Sequence, residues 1–222
     1  MPDAPYTPTE DPGSQTLEPL SGADDAAAPG RKRPKPGERR VQILQALASM
    51  LEQPGGERIT TAALAARLTV SEAALYRHFA SKAQMFEGLI EFIEQSVFSL
   101  INQIVEREQS AGAESVDAGA RQAAKVIGML MQFAEKNPGM ARVMVGDALV
   151  FEHERLQQRM NQFFDKIEAA LKQCLREDGA DAAVRASVLA AFAAGRLQRF
   201  VRSGFRRLPS ERLDASLGLL LG

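Results

Sequence analysis

The chain has 222 residues, 45% of them hydrophobic, with two histidines, one cysteine and a formal net charge of -1. This is enough apolar material for a real core, while the lone Cys174 excludes an intrachain disulfide or a cysteine metal cage, and no apolar run approaches the ~18 residues of a membrane-spanning helix. There is no tryptophan, only two tyrosines are present, and Ala, Leu, Gln, Glu and Arg dominate, which predicts an all-α fold.

The near-neutral total conceals an uneven distribution. Residues 1–30 carry six acids and no lysine or arginine, residues 31–82 carry ten bases against four acids, and residues 83–222 carry 17 bases against 18 acids. The middle block, at +6, is the footprint expected of a phosphate-binding module.

Residues 1–30 are rich in Pro, Gly, Ala and acids, hold little to bury, and read as a disordered acidic tail. RKRPKPGERR follows. Pro34 and Pro36 keep its first half out of a helix. It reads either as a solvated linker or, because of what comes next, as a flexible arm along phosphates. Residues 1–37 together form this tail and arm.

A helix is predicted through ERRVQILQALASML, with Val41, Leu44, Leu47, Ala48 and Leu51 on its buried face, ended by Pro54-Gly55-Gly56. RITTAALAARL gives a second helix. Thr60 or Thr61 is its N-cap, and Leu64, Ala65 and Leu68 face inward. TVSEAALYRHF gives a third, opened by Ser71. Leu75 and Phe79 point back to the core. Ser81 and Gln84 form a capping box that opens a long fourth helix to about Glu108.

Further helices are expected over about 116–136, stopped by Asn137-Pro138-Gly139, then briefly to Gly146, over 151–176, and over 182–205. Two stripes, Leu156/Met160/Phe163/Phe164/Ile167/Leu171 and Leu189/Phe192/Leu197/Phe200/Val201, are candidates for a dimer interface or for internal core. No strand alternation and no internal repeat appears.

Two short helices joined by a tight turn make either a helix-turn-helix or an ordinary three-helix corner. The basic surroundings favour the first, in which the second short helix enters the DNA major groove N-terminus first. Ser71 then fixes where that recognition helix begins. Ala73 and Ala74 are small enough to approach the groove floor, and an Ala methyl can touch a thymine methyl. Tyr76 and His78 suit phosphate oxygens, and Lys82 stands at a helix N-terminus where an ammonium and free N–H groups would meet one phosphate.

The segment TTAALAARLTVSEAALYRHFASKAQMF resembles the DNA-binding domain of the TetR family over residues 38–86, with Thr69 in place of the glycine usual in that turn. The likeness continues through AEKNPGMARVMVGDALVFEHERLQQRMNQFFDKIEAALKQCLRE and GRLQRFVRSGFRRLP. Over residues 38–210 the chain is similar to the nucleoid-occlusion branch of that family.

That resemblance implies a TetR-like fold: a helix-turn-helix domain over 38–84 and a helical dimerisation and partner-binding domain over 85–222. It implies a homodimer that binds palindromic sites on double-stranded DNA and, once bound, engages the C-terminal tail of the division protein FtsZ and disassembles its polymers. No cofactor and no metal is implied. On this resemblance the DNA contacts are Thr60, Thr61, Val70, Ser71, Ala74, Tyr76, Arg77, His78 and Lys82. The partner surface lies between the fourth and fifth helices, at Phe92, Met129, Lys136 and Asn137, and Leu100 stands where relatives carry a base.

Periodicity supports part of this independently. Leu89, Phe92 and Ile93 cannot share one helical face, since positions 92 and 93 point about 100° apart. One ring is therefore left exposed as a partner site, unless the helix is buried around most of its circumference.

Catalysis is not expected. His78 is accounted for by DNA, and His153 has no second histidine or cysteine beside it. Gly55-Gly56 reads as a turn rather than a phosphate loop, so no nucleophile–base–orienter set is legible. A TetR-type repressor released by a small ligand is the competing reading, sharing the DNA end and differing in the body. The expected location is the cytoplasm, on the nucleoid.

Overall fold

The computed structural model describes residues 37–222 apart from 54–57 and 111–117, and every regular element in them is helical. In order these are α1 (Glu38–Leu51), α2 (Thr61–Arg67), α3 (Glu72–Tyr76), α4 (Lys82–Ser110), α5 (Ala118–Lys136), α6 (Pro138–Met144), α7 (Glu154–Cys174), α8 (Asp181–Arg202) and α9 (Leu213–Leu221). The acidic tail, most of the basic arm and the Pro54-Gly55-Gly56 turn lie outside the described residues. No described helix is long and apolar enough to cross a membrane.

α1 buries Ile43, Leu47, Ala48 and Leu51, whereas Val41 is 47% exposed. The expected face was thus rotated. Ile43, Leu47 and Leu51 stand four apart and make one ridge against α4 and α6, while Val41 falls off its edge.

α2 is capped at both ends. The Thr60 hydroxyl accepts from the Ala63 N–H at 3.1 Å, which makes Thr60 the N-cap. At the other end Thr69 N–H reaches Ala66 O at 3.1 Å and Val70 N–H reaches Ala65 O at 3.0 Å. This is a Schellman closure, and it requires Thr69 to take a φ of 53°. A β-branched residue there bears strain of roughly 1–2 kcal/mol that glycine would not. α3 begins where predicted, with the Ser71 hydroxyl accepting from Ala74 N–H at 3.2 Å.

The capping box of α4 forms with a shift of one residue on its return arm. Ser81 Oγ accepts from Gln84 N–H at 3.2 Å, and Gln84 Oε1 accepts from Ala80 N–H at 2.9 Å. α5 runs antiparallel to α4 and ends at Asn137, whose side-chain amide donates to Phe133 O at 2.8 Å. Pro138 then opens α6.

α6 sits so close to α1 that only glycine fits at position 139. A Cβ there would lie 1.9 Å from Ala48 O. Arg142, buried on the same helix, donates to Gln53 O at 3.1 Å beyond the end of α1. Its guanidinium also lies 5.1 Å from the Phe205 ring centroid.

α7 starts at Glu154 rather than Phe151, because His153 Nδ1 accepts from Arg155 N–H at 3.2 Å and caps it. This gives His153 a structural role. α7 packs most extensively on α8 and is tied to α4 by ion pairs, Arg155–Glu87 at 2.7 Å and Arg159–Glu94 at 2.7 Å. α8 closes with a second Schellman turn over Gly204, and the Phe205 ring packs against Phe200, centroids 5.2 Å apart, as that motif favours.

The two stripes offered for dimerisation resolve in favour of core. Leu156, Met160, Phe163, Ile167, Leu171, Leu189, Leu197, Phe200 and Val201 are all buried within one chain, and only Phe164 and Phe192 are half-buried. The sequence reading also omitted α9. Leu213, Leu217 and Leu221 bury its inner face, and Arg196 holds the connection to α8 by donating to Glu211 O at 2.6 Å and Ser216 Oγ at 2.7 Å.

Candidate nucleic-acid interface

The nine residues assigned to DNA from sequence are carried by α2 and its N-cap, the turn, α3 and the two residues after it, and the first residue of α4. Leu64, Ala65, Leu75 and Phe79 pin this unit to the core from beneath. What remains outside is polar or small: Thr60, Ser71, Arg77 and His78 are exposed, Thr61, Val70 and Ala74 are half-buried, and Tyr76 is 44% exposed. An exposed tyrosine on a short helix whose Leu75 is buried is placed for contact with something else.

The side chains here are held in order by a network of their own. Thr61 donates its hydroxyl to Glu72 Oε2 at 2.6 Å, and Tyr76 reaches Thr61 Oγ1 at 3.5 Å. The start of α2 is thereby tied to both ends of α3. Glu72 was not among the predicted site residues; its place in the first turn after Ser71 was the available signal.

Arg40 is a second residue not foreseen. Its guanidinium lies 4.1 Å from the Phe79 ring centroid and donates to His78 O at 2.9 Å. The last base of the RKRPKPGERR stretch is therefore anchored beside the end of α3.

Lys82 differs from expectation. Its ammonium is held 2.5 Å from Glu152 Oε1, so it is an ion-paired rather than a free cation. It lines a small cleft with Thr60, Thr61, Leu64 and Met85, which brings the starts of α2 and α4 together.

The second predicted surface divides by residue. Phe92 is 42% exposed while its neighbour Ile93 is fully buried, so the ring left outside is Phe92. Leu100, two turns along α4, is 37% exposed. Met129 is half-buried against the core and Lys136 is exposed. Asn137 is half-buried and occupied in ending α5. Phe92 stands 18 residues before the end of α4 at 110, and Lys136 stands 18 residues after the start of α5 at 118.

Among the described residues no cluster of three or more His, Cys, Asp or Glu is arranged to hold a metal. Cys174 is buried, and burial pushes its thiol up to about 11, against a smaller downward pull from its backbone hydrogen bond and from Arg176.

An exposed helix-turn-helix set on an all-helical body defines the class of TetR-type DNA-binding regulators. The family model described as bacterial regulatory proteins, tetR family, matches residues 43–89, and that of the SlmA-like, tetracyclin repressor-like C-terminal domain matches residues 120–221.

The particular branch follows from whole-chain relatives. The nucleoid occlusion factor SlmA of Idiomarina loihiensis is 50% identical over 185 residues, covering 80% of this chain and 90% of that protein. The SlmA of Aliivibrio fischeri is 48% identical over 196 residues, covering 84% and 96%. The chain belongs to the SlmA family of nucleoid occlusion factors. Among solved structures it shares its fold with the TetR family regulator PfmR of Thermus thermophilus, at TM-score 0.62, 21% identity and coverage of 82% of this chain and 95% of that one. FadR of Bacillus halodurans gives TM-score 0.67 at 15% identity, covering 84% and 96%.

Proposed function

We propose that this chain is a homodimeric, cytoplasmic, nucleoid-bound protein that recognises palindromic duplex sites with α3 and, while bound, antagonises FtsZ polymerisation through the surface around Phe92. It is a binding protein without catalysis of its own. The observation that carries this is the pairing of an outward-facing helix-turn-helix with about 50% identity to nucleoid occlusion factors along the body as well as the head.

In this reading Ser71 and Ala74 approach base edges at the start of α3. Tyr76, Arg77 and His78 meet phosphate oxygens, and Thr60 and Thr61 reach the flanking backbone. Thr61 also holds Glu72, so α2 and α3 enter the groove as one body. Val70 acts from below, seating the turn on the core.

A palindrome requires two recognition helices about 34–36 Å apart, hence a second copy. With the earlier stripes used internally, the face left for it is on α8. Val184 and Val188 are 65% and 46% exposed, and Ala191 and Gly195 continue the same line at spacings of four, three and four. Small and β-branched residues along one line let two helices approach closely. Leu219 of α9 is also exposed, at 89%.

For FtsZ, an exposed ring at Phe92 with Leu100 beyond it offers an apolar seat, Met129 and Lys136 lie on the adjoining helix, and Asn137 follows its end. The test is sedimentation of FtsZ polymers with the purified protein, with and without a duplex selected from random oligonucleotides. Polymer loss that depends on the duplex supports the proposal. No effect under either condition refutes it and favours a ligand-released repressor.

A further inference from the structure

Glu152 stands behind Lys82 at the DNA-facing head, and it belongs to none of the DNA contacts assigned above. Lys82 opens α4 with its side chain 32% exposed, whereas the Glu152 side chain paired with it is 7% exposed. The carboxylate therefore lies on the protein side of the ammonium, and the ammonium lies between it and solvent. The Phe86 ring, 5.7 Å away, flanks the same ammonium.

Glu152 reaches this position from the turn before α7, 70 positions along the chain. Three contacts fix that turn. Arg142 pairs with Asp147 at 3.3 Å, His153 caps α7, and the Arg58 guanidinium lies 4.5 Å from the Phe151 ring centroid just ahead of α2. These contacts hold the residues on either side of Glu152, and the carboxylate itself, on a side chain only 7% exposed, meets Lys82 at 2.5 Å.

An arriving phosphate thus meets a lysine whose charge is already answered. Sequence-independent attraction to duplex grows with each free cation that displaces condensed counterions, and each contributes ~0.9 to the slope of log affinity against log salt. A paired lysine still donates hydrogen bonds but contributes little to that slope.

We propose, resting on the DNA-binding reading of α3, that Glu152 is a positioning residue: it orients Lys82 and limits the head's sequence-independent affinity for duplex. Glu152→Gln releases the ammonium with nearly unchanged side-chain shape.

The experiment uses the full-length protein and measures affinity for a selected site and for a random duplex of equal length across roughly 0.1 to 1 M salt. Glu152→Gln should tighten both and steepen both salt slopes by up to ~0.9, so that its advantage shrinks about eightfold over that tenfold range of salt. In a Lys82→Met background the gain should fall to that of Glu154→Gln, which removes an exposed carboxylate two residues on. Glu152→Ser serves if the glutamine variant does not fold. Unaltered slopes, weaker binding to both duplexes, or an undiminished gain in the Lys82→Met background would overturn the proposal. Failure of the parent protein to bind any duplex would instead retire the DNA-binding reading itself.

Discussion

The tight contact between the DNA-binding head and the body at α1 and α6 is also simple to perturb. Gly139→Ala adds a single carbon to α6, and that carbon would stand 1.9 Å from Ala48 O, 2.9 Å from the carbon of the same carbonyl and 3.2 Å from Glu52 Cγ. Even a favourable carbon–oxygen contact needs about 3.3–3.6 Å, so α6 must withdraw from α1 by roughly 1.4 Å. Two effects oppose each other. Alanine gains about 1 kcal/mol over glycine inside a helix, whereas overpacking costs ~1–3 kcal/mol, at its upper end when the obstacle is rigid backbone. The expected net loss is roughly 1–2 kcal/mol, which at this chain length lowers the melting temperature by about 2–8 °C. Gly128→Ala on α5 is the control, because a Cβ there meets nothing within 4 Å of it in one chain. It should be neutral or stabilising by about 0.5–1 kcal/mol. Thermal unfolding followed by circular dichroism reads both. A Gly139→Ala protein as stable as its parent, or an equal loss in Gly128→Ala, would refute the reasoning.

Other outcomes follow from the same structure. Tyr76→Ala removes an exposed ring without touching the core, so melting should be unchanged while affinity for a selected site falls at least about tenfold, one charge-assisted hydrogen bond's worth; a mobility shift at fixed salt decides it. Phe92→Ala should leave stability within about 0.5 kcal/mol and DNA binding intact, yet lose the effect on FtsZ sedimentation; equal loss of both would place the ring in the fold's support. Val188→Asp puts a charge on the exposed line of α8 and should yield a folded monomer with weakened site binding, read by ultracentrifugation. Cys174 predicts a pH dependence. Its folded thiol stays protonated up to about 11 whereas an unfolded one ionises near 9, so the folded chain binds the extra proton between those values. Stability should then be unaffected by this group below about pH 9 and fall as pH rises from there through about 11, a fall that Cys174→Ala abolishes.

What could be read from the residues in order was whatever neighbours in sequence decide. Thr60, Ser71 and Ser81 cap helices through hydroxyls that reach N–H groups three residues on, and such contacts need no knowledge of the rest of the chain. The angle between successive helical positions left two outcomes for Phe92, exposure or a helix buried around most of its circumference, and packing decided for exposure. α9 escaped notice because it is only nine residues long and Arg212 enters it at a φ of 53°, so that its boundaries depend on packing.

Sequence by itself thus located every described helix but α9, and the hydroxyl caps of α2, α3 and α4, because helical periodicity and capping are local. Tertiary structure alone decided what covers each stripe. It assigned the α7 and α8 stripes to one chain's core, left Val184 and Val188 outside, and rotated α1 from Val41 onto Ile43. It also paired Lys82 with Glu152 and Arg142 with Gln53. A helix's amphipathic pattern states that a face must leave water, whereas the partner that receives it is set by the packing of elements far apart in the chain.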